Sequence, residues 1–326
     1  MLDRRLLILG RFVWAAALAA ACGSAGSQEF PTRTVRIVSA FPPGGGPDVA
    51  SRILASVIAP ALGQQVIVEN RPGGGGTLGA NVVAKSAADG HTLLATDHAS
   101  GIYGGALYKQ LPYDPAKDLA IVTPLLRAAF VFFAGPALKA TNFREFVAEA
   151  KANPGRIQYG HPGVGTAHHL TVELFSQRMG LEMAAIAYKG VATLAPEVAG
   201  GQIAWGIAGH VSTVGLVKAG KVRAIAVTSR ERWAPYPNVP TVAEFLPGFE
   251  AFAFVTLFAP TGTPRDALAR LNSEVTRALR NPDVIRKFEE VGFDPAPGTL
   301  EESNQLVQRE LAVWPDVIRR LKISLD

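Results

Sequence analysis

The sequence predicts an α/β protein of two Rossmann-like lobes, joined by two chain crossings, with a ligand cleft between them. Three observations predict it. Strand-like and helix-like runs alternate in two series, one ending near Arg127 and one near Gly248. A chain of 326 residues that is 48% apolar can build more than one core. A further strand-like run and two helical patterns follow the second series, and they fit best by closing the first lobe. The lobes are then residues 28–127 with 249–326, and residues 128–248.

The first 27 residues resemble a secretory signal. Arg4, Arg5 and Arg11 supply the positive region, and 12–21 (FVWAAALAAA) is apolar but too short to span a bilayer. Small residues end it at Ala25-Gly26-Ser27, before Gln28. The single cysteine, Cys22, lies inside this segment. Leu18 sits one place too far upstream for a good lipobox, so cleavage rather than lipid anchoring at Cys22 is expected. The mature body then has no disulfide and no nucleophilic or metal-binding thiol. The net charge of +5 loses two positive charges with the signal. The rest is scattered: "SRERW" and "RRLK" are the densest basic runs, too short for a nucleic-acid footprint. No nucleic-acid partner is expected.

The elements follow in order. Residues 34–40 form a strand. In 48–62, apolar residues at 49, 53, 54, 57, 58, 61 and 62 keep a helical period, and Gly63 stops it. Residues 65–69 and 92–96 form two more strands, with a helix between them that ends at Gly90. The second series starts near Phe130. It has a helix over 142–152 and a short strand over 157–160. A second helix covers about 167–178. Strands follow over 183–188, 202–208 and 222–228, with helical connections. Residues 252–259 form a strand again, and helical patterns cover about 264–280 and 299–320. This alternation points to parallel sheets.

Glycine-rich loops stand where strands meet helices. "FPPGGGPD" (41–48), "PGGGGT" (72–77) and "HPGVGT" (161–166) each precede a helix, and "DHASG" (97–101) follows a strand. The first N–H groups of a helix have no internal partner, and with the helix dipole they favour an anion. Glycine lets ligand atoms approach without a Cβ clash, and Pro47 suits the first helical position. A tight turn with nothing bound explains one such loop equally well. In a doubly wound sheet the ligand sits at the switch point between the first and third strands. That ranks 41–48 and 96–100 above 73–77, with 161–166 facing them from the second lobe.

Other chemistries fail on spacing. Gly160 and Gly165 have P-loop spacing, but Thr166 stands where lysine is needed. Neither a dinucleotide fingerprint, a G-x-S-x-G elbow nor an H-E-x-x-H pair occurs. His168 and His169 are helical neighbours pointing about 100° apart, so no metal site is expected. No cofactor is implied and no catalytic residue stands out. Asp48 complements its own helix dipole and would mildly repel a ligand carboxylate.

Together the motifs resemble a known family. "FPTRTVRIVSAFPPGGGPDVASRILA", "LGQQVIVENRPGGGGTLGANVVAKSAADGHTLL", "FVAEAKANPGRIQYGHPGVGTAHHL" and "GKVRAIAVTSRERWAPYPNVPTVAEFLPGFE" are similar to the tripartite tricarboxylate transporter substrate-binding proteins, the Bug family, and they occur in the family's order. The resemblance implies a periplasmic binding protein of type II-like fold. It is not an enzyme, and it closes on a small organic carboxylate and delivers it to a membrane permease or a sensor. It implies ligand contacts at Phe41, Pro43, Gly44, Gly45, Gly46 and Asp48. Asp97 and His98 belong with them. On the other lobe are His161, Gly163, Gly165, Thr166, His168, Tyr188 and Ala208. The sequence departs from the family pattern at Pro47, at His161 where serine is usual, at Ala208 where aspartate is usual, and at Phe254 where tryptophan is usual. The missing aspartate makes an amino-acid ligand less expected. An exported sensory protein of the same fold is the alternative. An exported hydrolase is the remoter one, since it needs a nucleophile, a metal or an acid–base pair that the sequence does not display.

Overall fold

The protein is described by a computed structural model covering residues 30–325. The expected signal segment, with Cys22, lies outside the described residues. Strand β1 (Val35–Ser39) leads through the proline-glycine loop into helix α1 (Gly46–Leu62), which ends at Gly63 in the left-handed conformation. Strand β2 (Val66–Asn70), a 3-10 turn over Gly74–Gly76, helix α2 (Thr77–Ala84) and strand β3 (Thr92–Thr96) follow. Three one-turn helices, α3 (His98–Gly101), α4 (Gly104–Leu107) and α5 (Pro115–Asp118), lead into the long strand β4 (Leu119–Ala134).

The second series is α6 (Phe143–Ala152), β5 (Gln158–His161), α7 (Ala167–Met179), β6 (Ala184–Ala187), α8 (Val191–Ala199), β7 (Trp205–Gly209), α9 (His210–Lys218) and β8 (Arg223–Val227). Strand β9 (Phe252–Pro260) returns to the first lobe. Helices α10 (Arg265–Leu279) and α11 (Pro282–Glu290), the short strand β10 (Asp294–Pro295) and helix α12 (Leu300–Arg320) complete the chain.

Two elements differ from the sequence expectation. The first two-thirds of β4 were not foreseen, because Pro124 interrupts an otherwise apolar run and proline removes a ladder donor. The strand tolerates it at an irregularity: the register against β9 shifts between Pro124 and Leu126. Helix α11 lies in a segment that the spacing left unassigned.

The sheets are mixed, and this corrects the expectation of parallel ones. In the first lobe the order is β2-β1-β3-β9-β4, with β10 on β4. Strands β1, β2 and β3 are parallel, but β9 is antiparallel to both β3 and β4. The reason is the crossing itself. The chain leaves along β4 and must come back along β9, so the two run in opposite directions. Strand β4 serves both lobes: residues 119–129 pair with β9, and 130–134 pair with β7 and β8. In the second sheet β5 is parallel to both β6 and β7, whereas β7 and β8 run antiparallel to β4.

The β4 crossing is pinned by Thr228. Its buried hydroxyl donates to the Ala251 carbonyl at 2.6 Å and accepts the Phe130 N–H at 2.8 Å. In the first lobe, α10 and α11 cover α1 on one face of the sheet, around Leu54, Ile58, Leu257 and Leu271. In the second, Phe132, Phe143, Phe146, Phe175 and Trp205 form one aromatic cluster with centroids 4.9–6.2 Å apart. Burying each such ring contributes about 1.5–3 kcal/mol, so the loops above it rest on a firm base.

Candidate functional site

The 41–48 loop is organised from within. Gly44 has φ +81°, a left-handed backbone that suits only glycine without strain. Its N–H donates to the Asp48 carboxylate at 2.9 Å. Asp48 is only 3% exposed, and it also accepts from Arg52 Nε at 2.9 Å and Asn70 Nδ2 at 2.8 Å. Asn70 further donates to the Phe41 carbonyl at 3.1 Å. Burial works against the Asp48 charge, but the Arg52, Gly44 and Asn70 hydrogen bonds outweigh it and hold the carboxyl below its ordinary range. Asp48 therefore braces the loop rather than facing a ligand. The Gly45 N–H is also turned inward, to the Pro42 carbonyl at 3.0 Å. What remains open at the α1 N-terminus is the N–H of Gly46 and that of Asp48, which have no acceptor among the described residues.

The other first-lobe loops converge beside it. A Cβ on Gly76, at φ +95°, would lie 2.7 Å from Ser100 Oγ, 3.1 Å from Thr96 Oγ1 and 3.2 Å from the Phe41 ring. The 73–77 loop, ranked lowest from sequence, thus belongs to the same assembly. Asp97 caps α3 by accepting the Ser100 N–H and hydroxyl, each at 3.0 Å. It is half-buried, and burial raises its carboxyl above the ordinary range against the opposing pull of Ser100. His98 spends both ring nitrogens inside the protein. Its ring is buried and stacked on Phe254 at 4.6 Å, with Nε2 at 2.9 Å from Thr256 Oγ1 and Nδ1 at 3.0 Å from Glu310.

In the second lobe, histidines satisfy the loop. His161 is buried, with Nδ1 donating to the Gly163 carbonyl at 2.9 Å, and its ring stacks on His169 at 4.1 Å. His169 Nδ1 accepts the Gly165 N–H at 3.2 Å. The Thr166 N–H goes to the Gly163 carbonyl at 3.4 Å, and the Thr166 hydroxyl caps α7. The Gly165 and Thr166 donors expected to meet a ligand are therefore consumed inside the loop. The first-turn N–H groups of Ala167 and His168 have no acceptor among the described residues.

Of His161, His168 and His169, it is His168 that is left free. Its ring lies 4.4 Å from that of Phe130 and has no hydrogen-bond partner among the described residues. Burial, then the neighbouring His161, pushes His168 and His169 down to about 4, and burial lowers His161 as well. All three are neutral near pH 7. Tyr188 follows on from His161, donating its N–H to the His161 carbonyl at 2.9 Å, and is partly exposed. Ala208 is fully buried beside Val131 in the second-lobe core, so its side chain does not reach the cleft. No group of three or more histidine, cysteine or acidic residues able to hold a metal occurs among the described residues.

The lobes meet on two sides of these loops. A Cβ on Gly165, at φ +74°, would lie 3.1 Å from Leu107 and 3.2 Å from Leu325, both of the first lobe. Gly292, at φ +73°, faces Val211 at the start of α9. Phe130, Val211 and the Ser100–Thr96 pair were not singled out from sequence. Their signal is spatial, since each becomes notable only through what stands opposite.

Two lobes of α/β type, exchanging chain through β4 and β9, define a periplasmic binding protein fold. The chain belongs to the tripartite tricarboxylate transporter family of receptors, whose profile matches residues 50–323. It is 32% identical to Protein BugT of Bordetella pertussis over 326 residues, covering 99% of each. Among solved structures it is similar to R. palustris Rpa4515 with adipate, at 32% identity and a TM-score of 0.75, covering 89% of this chain and 97% of that one. MatC from Rhodopseudomonas palustris with bound malate gives 32% identity and a TM-score of 0.71, covering 89% of this chain and all of the other.

Proposed function

We propose that this chain is an exported periplasmic receptor, not an enzyme, that captures a small organic carboxylate between its lobes and passes it to the membrane permease of a tripartite tricarboxylate-type transporter. One observation carries the proposal. Helices α1 and α7, 17 and 13 residues long, begin with first-turn N–H groups that lack an acceptor among the described residues, and in this reading both face the cleft. Each terminus contributes about 0.3–2 kcal/mol toward an anion, so both must act together on one carboxylate or on the two ends of a dicarboxylate. Neutral His168 adds a donor without a charge to desolvate, and the partly exposed Phe41 supplies an apolar wall. The two structural relatives hold adipate and malate, which are dicarboxylates. In this reading the lobes divide at about residues 127 and 248, the hinge lies in β4 and in the run-in to β9, and closure swings about these segments.

A thermal-shift screen of adipate, malate and other di- and tricarboxylates tests this. A ligand at a hundred times its dissociation constant stabilises by about 2.7 kcal/mol. No shift with any acid, or an equal shift with uncharged diamides of the same length, would overturn the proposal.

A further inference from the structure

Away from the cleft loops, and sharing no residue with them, the protein holds an open groove of about 870 Å3. Both lobes line it. Arg127 on β4, Arg280 and Arg309 come from the first lobe, and Arg178 on α7 comes from the second. All four side chains are exposed. Three glutamates also line it, but two are already engaged. Glu302 accepts the Thr299 N–H at 2.8 Å in the capping box of α12. Glu310 accepts from Trp314 Nε1 at 2.8 Å and meets His98 Nδ1 at 3.0 Å. Arg178 and Arg309 have no ion-pair or hydrogen-bond partner among the described residues. Arg127 rests over the Phe252 ring at 4.8 Å, which leaves the edge of its guanidinium to solvent. Its lining also includes the apolar side chains Phe252, Phe254, Val313 and Trp314.

We propose that this groove docks an acidic, partly apolar polypeptide segment of a partner protein. Charge complementarity argues for it. Cations without partners beside aromatic side chains are the composition that recognises carboxylates set between apolar residues, and arginine with aromatics dominates the energetic centres of interfaces. The lining follows α12 from Glu302 to Trp314, which suits an extended chain. The groove also reports on the lobes. Arg178 sits on the helix whose first turn faces the cleft, and Glu310 holds the His98 ring next to Asp97. A segment bridging Arg178 and Arg309 therefore binds one lobe arrangement better than another, and its affinity is linked reciprocally to cleft occupancy. This linkage rests on the cleft proposal; the docking does not.

The test uses the full chain and a fluorescein-labelled peptide of glutamate, leucine and phenylalanine, read by anisotropy. Saturable binding is expected, weakened by salt and reduced at least tenfold in the double variant Arg178→Glu, Arg309→Glu. A lysine version of the peptide should not bind. Because both arginines are exposed, the melting temperature and the dicarboxylate response of the variant should match those of the parent, which separates lost docking from lost folding or lost ligand capture. The proposal is overturned by no saturable binding, by equal affinity in the double variant, or by equal binding of the lysine peptide. Arginine-dependent binding of inorganic phosphate without peptide binding would make it a small-anion site, and the proposal would equally fall.

Discussion

Replacing Asp48 with alanine should loosen the loop that sets the α1 N-terminus. The carboxylate is 3% exposed and accepts three hydrogen bonds of 2.8–2.9 Å, from Gly44, Arg52 and Asn70. A hydrogen bond to a charged group is worth about 1.5–3 kcal/mol net. Arg52 is 54% exposed in its side chain and regains water, so its share is small. The Gly44 N–H and the Asn70 amide lose their partner, which gives a loss of about 2–4 kcal/mol. Urea unfolding at constant m-value reads it. The carboxyl is held below its ordinary 3.8, so this stabilisation is present above 3.8 and is lost as pH falls through the lower folded value. The gap between parent and variant should therefore close in acid. Dicarboxylate affinity should fall with stability, because Gly44 at φ +81° loses its anchor. A loss under about 0.5 kcal/mol with unchanged affinity would refute the bracing role.

Other expectations follow from the same geometry. Gly76→Ala adds a Cβ 2.7 Å from Ser100 Oγ at a positive φ, and it should lower both melting temperature and ligand affinity, by roughly 1–3 kcal/mol in stability. Thr166→Ala removes the α7 cap, for about 1 kcal/mol by denaturant titration. His168 and His169 have folded values near 4, below the ordinary 6.5, so the unfolded chain takes up protons first. Stability should then fall from pH 6.5 toward 4 by up to about 1.4 kcal/mol per pH unit for the buried His169, and His169→Gln should flatten that slope in melts across pH. His168→Ala should weaken dicarboxylate binding by isothermal titration while leaving the fold intact, since the ring makes no hydrogen bond among the described residues.

Much of the fold was legible because its signals are local. "TLLAT" is a strand bounded by Gly90 and Asp97, and the 48–62 period with Gly63 fixes α1 nearly to the residue. The antiparallel β9 was not legible, since strand direction depends on where the chain has been and not on its own side chains. The loops were legible as helix entries but not as donors. Asp48 stands four residues after Gly44, and His169 four after Gly165, and in both cases the later side chain takes the glycine N–H. Such i, i+4 closure is a sequence signal that can be sought once the helix start is known. The burial of Ala208 and the engagement of His98 by Glu310, 212 residues away, needed three dimensions.

The most direct measurement is a crystal structure of the protein with the carboxylic acid that stabilises it most. The expected result is a carboxylate within about 3 Å of the Gly46 or Asp48 amide on one side and the Ala167 or His168 amide on the other. A ligand held elsewhere, or in the cleft with its acid groups pointing away from both helix ends, would contradict the proposed mode of capture.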